Sequence, residues 1–142
     1  MGMTHEEKAD AAFMSGMNCA QAVVLAFAGD FGLDEALAAR VACGLGGGVG
    51  REREVCGTVT GAAIVLGLKY GEDKAVVYPH VQDFVARFRA ECGSIVCRDL
   101  LAGVKATTGG APEPRTPEYY KKRPCAELVR LSVQILGEML KN

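Results

Sequence analysis

Apolar residues in this chain recur three or four positions apart, and no segment alternates apolar and polar residues as a half-buried strand does. The pattern is clearest near the C-terminal end, where Leu128, Leu131, Ile135 and Met139 share one helical face. Because a strand would need the missing alternation, the pattern predicts an all-α fold. The 142 residues, 49% hydrophobic and 23% charged, predict one compact domain over residues 1–142.

Helix-start residues divide the chain into about six helices. The expected starts are, in chain order, Thr4 with its capping-box partner Glu7, Asn18, Asp34, Ser94 for a short helix, and Pro124 for the last helix. The third helix is expected to bury a stripe of Leu33, Leu37 and Val41. In the helix from about Asp73 to Cys92, Pro79 is expected to kink or restart the chain.

The uncharged segment 55–68 predicts a buried core helix. Its 14 residues are too few to span a bilayer, which needs about 20, so no membrane span is expected. Gly57 and Gly61 are four apart, as are Gly67 and Gly71, and this spacing allows helices to approach closely. The same glycine-rich surfaces are the basis for the hypothesis of a homodimer.

Two segments are expected to form loops. The five glycines within 44–50 predict an irregular loop packed close to the surroundings of Cys56, since no phosphate-binding motif fits them. Residues 51–54, Arg-Glu-Arg-Glu, are expected to form a solvated face. The proline-containing stretch 103–123 predicts a long surface loop before the last helix. Its end, residues 119–123, is interpreted as solvated or as a docking site for an acidic partner.

The six cysteines divide by their position on the predicted helices. Four are expected at or near helix starts: Cys19, Cys56, Cys97 and Cys125. Cys43 and Cys92 each end a helix and precede a glycine. A helix N-terminus carries partial positive charge and free N–H groups, which favour a thiolate and lower the pKa. The first four are therefore candidate reactive thiolates or metal ligands, although any one of them alone also fits a buried small hydrophobic residue.

Charge and cysteine spacing exclude several classes of function. A net charge of −1 and 6% aromatic residues provide no basic or stacking surface for nucleic acid. The chain has no Cys-x-x-Cys and no Cys-x-x-Cys-His, so covalent c-type haem is excluded, and neither a thioredoxin site nor a zinc ribbon is indicated. No secretory signal is visible, which predicts a cytoplasmic, reducing environment where clustered cysteines indicate metal or redox chemistry.

The order of cysteine motifs resembles a known family. Cys56-Gly57-Thr58-Val59-Thr60-Gly61 resembles a Cys-Gly-Ala-x-x-Gly motif with Thr58 in place of alanine, a hydroxyl that could tune the site. With Cys19, Cys97 and Cys125 it is similar to the C_GCAxxG_C_C family of redox-active proteins. The resemblance covers essentially the whole chain, leaves Cys43 and Cys92 outside the pattern, and extends to the non-haem domain of split-Soret cytochromes, which is associated with an iron–sulfur centre.

Three functions remain open for the four cysteines. The first is electron transfer to a redox partner protein through an iron–sulfur cluster, expected as [2Fe–2S], with Cys19, Cys56, Cys97 and Cys125 as metal ligands. The second is thiol–disulfide exchange without a metal. The third is a structural zinc site with the same four ligands. The first two are redox functions and the third is not.

Overall fold

A computed structural model describes residues 2–104 and 106–141 of the chain. The helices within these residues are α1 His5–Met14, α2 Cys19–Ala28, α3 Glu35–Cys43, α4 Gly46–Val49, α5 Gly57–Tyr70, α6 Lys74–Cys92, α7 Cys97–Leu100, α8 Pro117–Lys122 and α9 Cys125–Met139. A 3-10 turn, Gly29–Phe31, follows α2. The described residues form no strand, and one isolated β-bridge joins Val55 to Val96. The predicted all-α fold is confirmed, and the expected helix number agrees with the helices of nine or more residues.

The first three helices begin at the caps that the sequence predicts. Thr4 accepts a hydrogen bond from the backbone N–H of Glu7, whose carboxylate accepts one from the N–H of Thr4. Asn18 and Gln21 form the same reciprocal pair at α2, and Asp34 caps α3. Each cap satisfies an N–H group that lacks a partner within its helix, so these residues determine where the helices start.

Helix α2 is the centre of the fold and contacts α1, α3, α5 and α9. Eight of its ten residues are buried. Its contact with α5 depends on glycine, because a Cβ on Gly61 would lie 2.9 Å from the carbonyl oxygen of Ala20. Gly67 and Gly71 have no atom within 4 Å of an added Cβ. The expected close approach is therefore found at the first glycine pair of α5 and not at the second.

Helix α3 buries a different face from the predicted one. Leu37 and Val41 are 48% and 52% exposed, so the expectation that they form the buried stripe is wrong. The helix instead buries Ala38 and Ala42, which pack with Val24 and the alanines of α2. Because alanine side chains are short, α3 can lie close to α2, and its larger side chains then point away from the contact.

Helix α6 continues through Pro79 from Lys74 to Cys92, so of the two expected effects of Pro79, a kink or a restart, the restart does not occur. Pro79 removes only the hydrogen bond that its own N–H would donate to Ala75. Both residues are exposed, and water can therefore bond to the freed carbonyl oxygen. Phe84, one turn further on, is buried in the core with residues of α5 and α9.

Helix α5 is the buried helix expected of the uncharged segment. With α2, α6 and α9 it encloses the main core, which includes Phe27, Leu66, Phe88 and Leu136. Among the helices of residues 2–104 and 106–141, none has the length and apolar character needed to cross a bilayer.

Candidate functional site

The four predicted cysteines lie at four helix starts and line one cavity. Cys19, Cys97 and Cys125 are the first residues of α2, α7 and α9, and Cys56 is the N-cap of α5. The cavity that they line has a volume of about 50 Å³. By the usual allowance of roughly 10–15 Å³ for each water, this space holds only a few atoms. The fold therefore gathers four segments that are far apart in sequence.

The β-bridge between Val55 and Val96 holds two of these segments together. The N–H of Cys56 donates to the carbonyl oxygen of Ile95 at 2.8 Å, and the N–H of Cys97 donates to that of Glu54 at 2.6 Å. The bridge therefore fixes the start of α5 beside the start of α7.

Two expected helix starts differ by a residue or two. Val96, and not Ser94, is the N-cap of α7. The Ser94 hydroxyl accepts a hydrogen bond from the N–H of Val96 and donates one to Asp99, so it stabilises the turn before the helix. Pro124, expected in the first helical position, is the N-cap of α9.

The glycine loop forms a left-handed turn against the cysteines. All residues of 47–51 have φ between 58° and 71°, a conformation that favours glycine. A Cβ on Gly48 would lie 2.7 Å from the Cβ of Cys97. The N–H of Gly47 helps to lower the pKa of the Cys19 thiol. The expected close packing is confirmed, with Cys19 and Cys97 as the neighbours.

The residues after Cys56 also approach the cysteines closely. A Cβ on Gly57 would lie 2.6 Å from Sγ of Cys19, so glycine leaves room for that sulfur. Thr58, which stands where the family motif has alanine, places its hydroxyl 3.1 Å from Sγ of Cys56. Its carbonyl oxygen accepts a hydrogen bond from the hydroxyl of Ser132, which fixes α5 against α9.

Cys19 has the environment of a thiolate. A hydrogen bond from the Cys56 thiol lowers the pKa of Cys19 from its usual 9.0 to about 7, although burial acts in the opposite direction. The backbone N–H groups of Gly47, Ala20 and Cys19 itself contribute to the lowering. A group with this pKa is partly ionised at neutral pH, and the thiolate is the nucleophilic form of cysteine.

The pKa values of two other cysteines move the opposite way. Donation of a hydrogen bond to Cys19 raises the pKa of Cys56 well above 9.0, and burial and the charge of Cys19 add to this. Burial raises the pKa of Cys125 to about 12. The expected lowering at helix starts is therefore wrong for Cys56 and Cys125, because burial and the nearby Cys19 thiolate outweigh the helix N-terminus.

The Arg-Glu-Arg-Glu segment forms the expected solvated face only at its glutamates, because Glu52 and Glu54 are exposed whereas the two arginines are not. The side chain of Arg53 is 6% exposed, donates to the carbonyl oxygen of Thr107 at 2.8 and 3.0 Å, and reaches Sγ of Cys97 at 3.7 Å. Arg51 donates to the carbonyl oxygen of Gly109 at 2.8 Å. Both arginines turn inward because they bind the backbone of the loop before α8, which lies over the cysteine cavity.

That loop and α8 cover the cavity with further arginines and aromatic rings. Arg115 donates to the carbonyl oxygens of Phe13 and Met17 at 2.9 and 2.8 Å, and its guanidinium lies over the rings of Phe13 and Tyr119. The buried Arg123 stacks on Tyr119. The expectation that the end of the loop is solvated is therefore wrong at Arg123.

Glu113 joins three of these arginines. Its carboxylate pairs with Arg123 and Arg51 and lies 3.8 Å from Arg53. Burial opposes ionisation, but the hydrogen bonds and charges of Arg123 and Arg51 hold the pKa of Glu113 below its usual 4.5. Its acidic side chain in a proline-rich loop gave no sequence signal of this role.

The other two cysteines lie outside the cavity. Cys43 is exposed at the end of α3, and Cys92 is half-buried at the end of α6, as expected for residues that end helices. Burial and the charge of Glu91 raise the pKa of Cys92. Neither residue lines the space that the four candidate cysteines share.

The arrangement in this structure does not fit a bound metal. Across residues 2–104 and 106–141, no three His, Cys, Asp or Glu side chains are grouped closely enough to hold a metal ion. All four cysteines line the cavity, and the sulfur of Cys19 packs against Gly57, the residue that follows Cys56. A single zinc ion would need these sulfur atoms to move together.

Comparison with known proteins identifies the family. No curated protein and no solved structure matches the chain. A family model described as "Putative redox-active protein (C_GCAxxG_C_C)" matches residues 17–139, a span that includes all four cysteines of the cavity. The chain therefore belongs to the C_GCAxxG_C_C family.

Proposed function

We propose that the chain is a thiol–disulfide redox protein whose reactive pair is Cys19 and Cys56. The observation that carries the proposal is that Cys19 and Cys56 line one small cavity, in which the sulfur of Cys19 packs against Gly57, the residue that follows Cys56. The lowered pKa of Cys19 provides an attacking thiolate near neutral pH. A second thiol in contact with the first can then complete a protein disulfide.

The reaction has two displacement steps. The Cys19 thiolate attacks one sulfur of a substrate disulfide, which forms a mixed disulfide and releases the other half of the substrate as a thiolate. Cys56 then loses its proton and attacks the Cys19 sulfur, which releases the second half. Two electrons pass from the protein dithiol to the substrate, and the two released thiolates take up protons. A reduced dithiol partner regenerates the pair by the reverse steps.

The environment of Cys56 supports its role in the second step. Its pKa is raised chiefly because it donates a hydrogen bond to the Cys19 sulfur. That sulfur loses its negative charge when it enters a mixed disulfide, so both the hydrogen bond and the repulsion weaken. Cys56 therefore ionises more easily at the stage at which it must attack.

Iron–sulfur electron transfer is the second candidate function. It is favoured by one observation, that Cys97 and Cys125 line the same cavity as the reactive pair. Because the described sulfur atoms are not grouped as metal ligands, we derive no step that passes through a metal. Structural zinc would require the same four ligands, brought together around one metal ion.

Controlled oxidation of anaerobically purified protein tests the proposal. Peptide mapping by mass spectrometry is expected to find a disulfide between Cys19 and Cys56 that is absent from Cys19→Ser and Cys56→Ser. Cys43→Ser is the matched control, because it removes an exposed thiol outside the cavity and is expected to keep the disulfide. Stoichiometric iron or zinc that is lost in each of the four cavity variants, or a disulfide with another partner, would overturn the proposal.

A further inference from the structure

A groove of about 490 Å³ lies against the cysteine cavity. The groove and the cavity have six lining residues in common: Asn18, Gly47, Arg53, Arg115, Tyr119 and Arg123. A molecule in the groove would therefore contact the wall behind which Cys19 and Cys56 lie. Sites for small molecules typically measure about 300–1,000 Å³, and the groove falls within that range.

The lining of the groove is strongly positive. Its arginines are Arg51, Arg53, Arg115 and Arg123, and its carboxylate among the described residues is Glu113. The side chains of Arg53 and Arg123 are only 6% and 5% exposed, so solvent screens their charges weakly. Four guanidinium groups thus face one carboxylate.

The contacts of the arginines leave positive charge unbalanced. Glu113 is shared among Arg51, Arg53 and Arg123. Arg115 is held by neutral groups, which are two backbone carbonyl oxygens, the Tyr120 hydroxyl and aromatic rings. These contacts fix the position of its guanidinium without neutralising it. The ion pairs of Glu113 show that the arginines of the groove bind a carboxylate.

We propose that the groove binds a small disulfide whose ends carry carboxylates, and that such disulfides are the substrate class of the Cys19–Cys56 pair. Guanidinium groups bind carboxylates through paired, charge-assisted hydrogen bonds. At about 50 Å³, the cysteine cavity has room for the reacting sulfur but not for a whole substrate, so the charged ends must lie outside it. This inference rests on the proposed dithiol chemistry, in which one disulfide and the protein dithiol give the protein disulfide and two thiols.

Three small disulfides that differ chiefly in the charge of their ends provide the test. They are dithiodipropionate, which is anionic, hydroxyethyl disulfide, which is neutral, and cystamine, which is cationic. The rate at which each forms the Cys19–Cys56 disulfide is divided by its rate with free 2-mercaptoethanol, which corrects for intrinsic reactivity. After this correction we expect dithiodipropionate to react about tenfold faster than hydroxyethyl disulfide, the factor that about 1.4 kcal/mol of added binding gives. Cystamine should be the slowest, and salt should reduce the differences.

Variants test whether the preference for the anionic disulfide arises from the groove. Arg115→Gln is expected to remove most of the preference for the anionic disulfide, whereas Arg115→Lys should retain part of it. Arg130→Gln is the matched control, because Arg130 is 46% exposed, pairs with Asp10 and does not line the groove. The comparison of three disulfides on the unaltered protein does not depend on how any variant folds.

The outcomes separate this inference from the proposed function. If all three disulfides form the Cys19–Cys56 disulfide at equal corrected rates, the groove does not select anions and the inference alone fails. If none of them forms that disulfide, the dithiol chemistry and the inference fail together. An anionic preference that persists in Arg115→Gln and is lost in Arg130→Gln would also overturn the assignment to this groove.

Discussion

Replacement of Gly57 by alanine would test the packing of α5 against the first turn of α2. A Cβ at this position would lie 2.6 Å from Sγ of Cys19, 3.0 Å from the nitrogen of Ala20 and 3.2 Å from its Cβ. Ordinary contacts begin at about 3.4 Å, so the Cys19 sulfur would have to move by roughly 1 Å. The new methyl group would also press on the backbone nitrogen of Ala20, which limits how α5 can shift to relieve the clash.

The expected cost follows from two opposing effects. An extra methyl group in a well-packed site costs about 1–3 kcal/mol, whereas the better helix propensity of alanine returns at most about 1 kcal/mol. We therefore expect Gly57→Ala to lower the free energy of unfolding by about 1–2 kcal/mol and Tm by about 3–8 °C. The displaced Cys19 sulfur should also lose part of its hydrogen bond from Cys56, so its pKa should rise from about 7.

Gly67→Ala is the matched control, because it makes the same change in the same helix. No atom lies within 4 Å of a Cβ at Gly67, so this variant should gain up to about 1 kcal/mol from helix propensity. Urea unfolding followed by circular dichroism measures both changes, and the pH dependence of Cys19 alkylation reports its pKa. If both variants were equally stable and alkylated Cys19 with the same pH midpoint, close packing at Gly57 would be refuted.

Three further outcomes are expected. Cys56→Ala removes the hydrogen bond that lowers the pKa of Cys19, so the midpoint of Cys19 alkylation, near pH 7 in the unaltered protein, should rise; an unchanged midpoint would contradict the pairing. Because the pKa of Glu113 is held below 4.5, its ionised form stabilises the fold above about pH 4.5, and this stabilisation is lost as pH falls through the folded pKa. Urea unfolding of Glu113→Gln should therefore show a loss at pH 7 that disappears in acid, and an equal loss at both pH values would contradict this. Phe84→Ala should cost about 3–5 kcal/mol and the half-exposed Leu37→Ala about 0.5 kcal/mol, and similar costs in urea unfolding would contradict the burial of these residues.

The features of the fold that the sequence predicts correctly are mostly those that depend on residues close together in the chain, such as helix starts. Thr4, Asn18 and Asp34 cap helices as expected because each cap bonds N–H groups only three residues away. The buried face of α3 is set by the alanines of α2, which lie in another helix. Periodicity within α3 identifies an apolar face at Leu37 and Val41 but does not reveal which face a neighbour covers.

The site also combines local features, which the sequence predicts, with contacts between distant segments, which it does not predict. Helix starts are local features, so the positions of the four cysteines at or near those starts can be predicted from nearby residues. The inward turn of Arg53 cannot be predicted from nearby residues, because its partner Thr107 lies 54 residues away. Glu113 is likewise recognisable as the partner of Arg51 and Arg123 only when the loop is folded over the cavity. The pattern of charges around the thiols is therefore a property of the tertiary structure.

Four cysteines at helix starts do not produce four equivalent thiolates. Once Cys19 is ionised, its charge raises the pKa of both Cys56 and Cys125 across a small cavity. The hydrogen bond that stabilises the Cys19 thiolate requires Cys56 to keep its proton. Burial and mutual repulsion thus select a thiolate–thiol pair, and such a pair has the protonation state that begins two-electron disulfide exchange. The arginines of the groove add positive charge beside this pair. In the proposed reaction this charge binds the carboxylates of the substrate, and Cys56 keeps its proton until the second step.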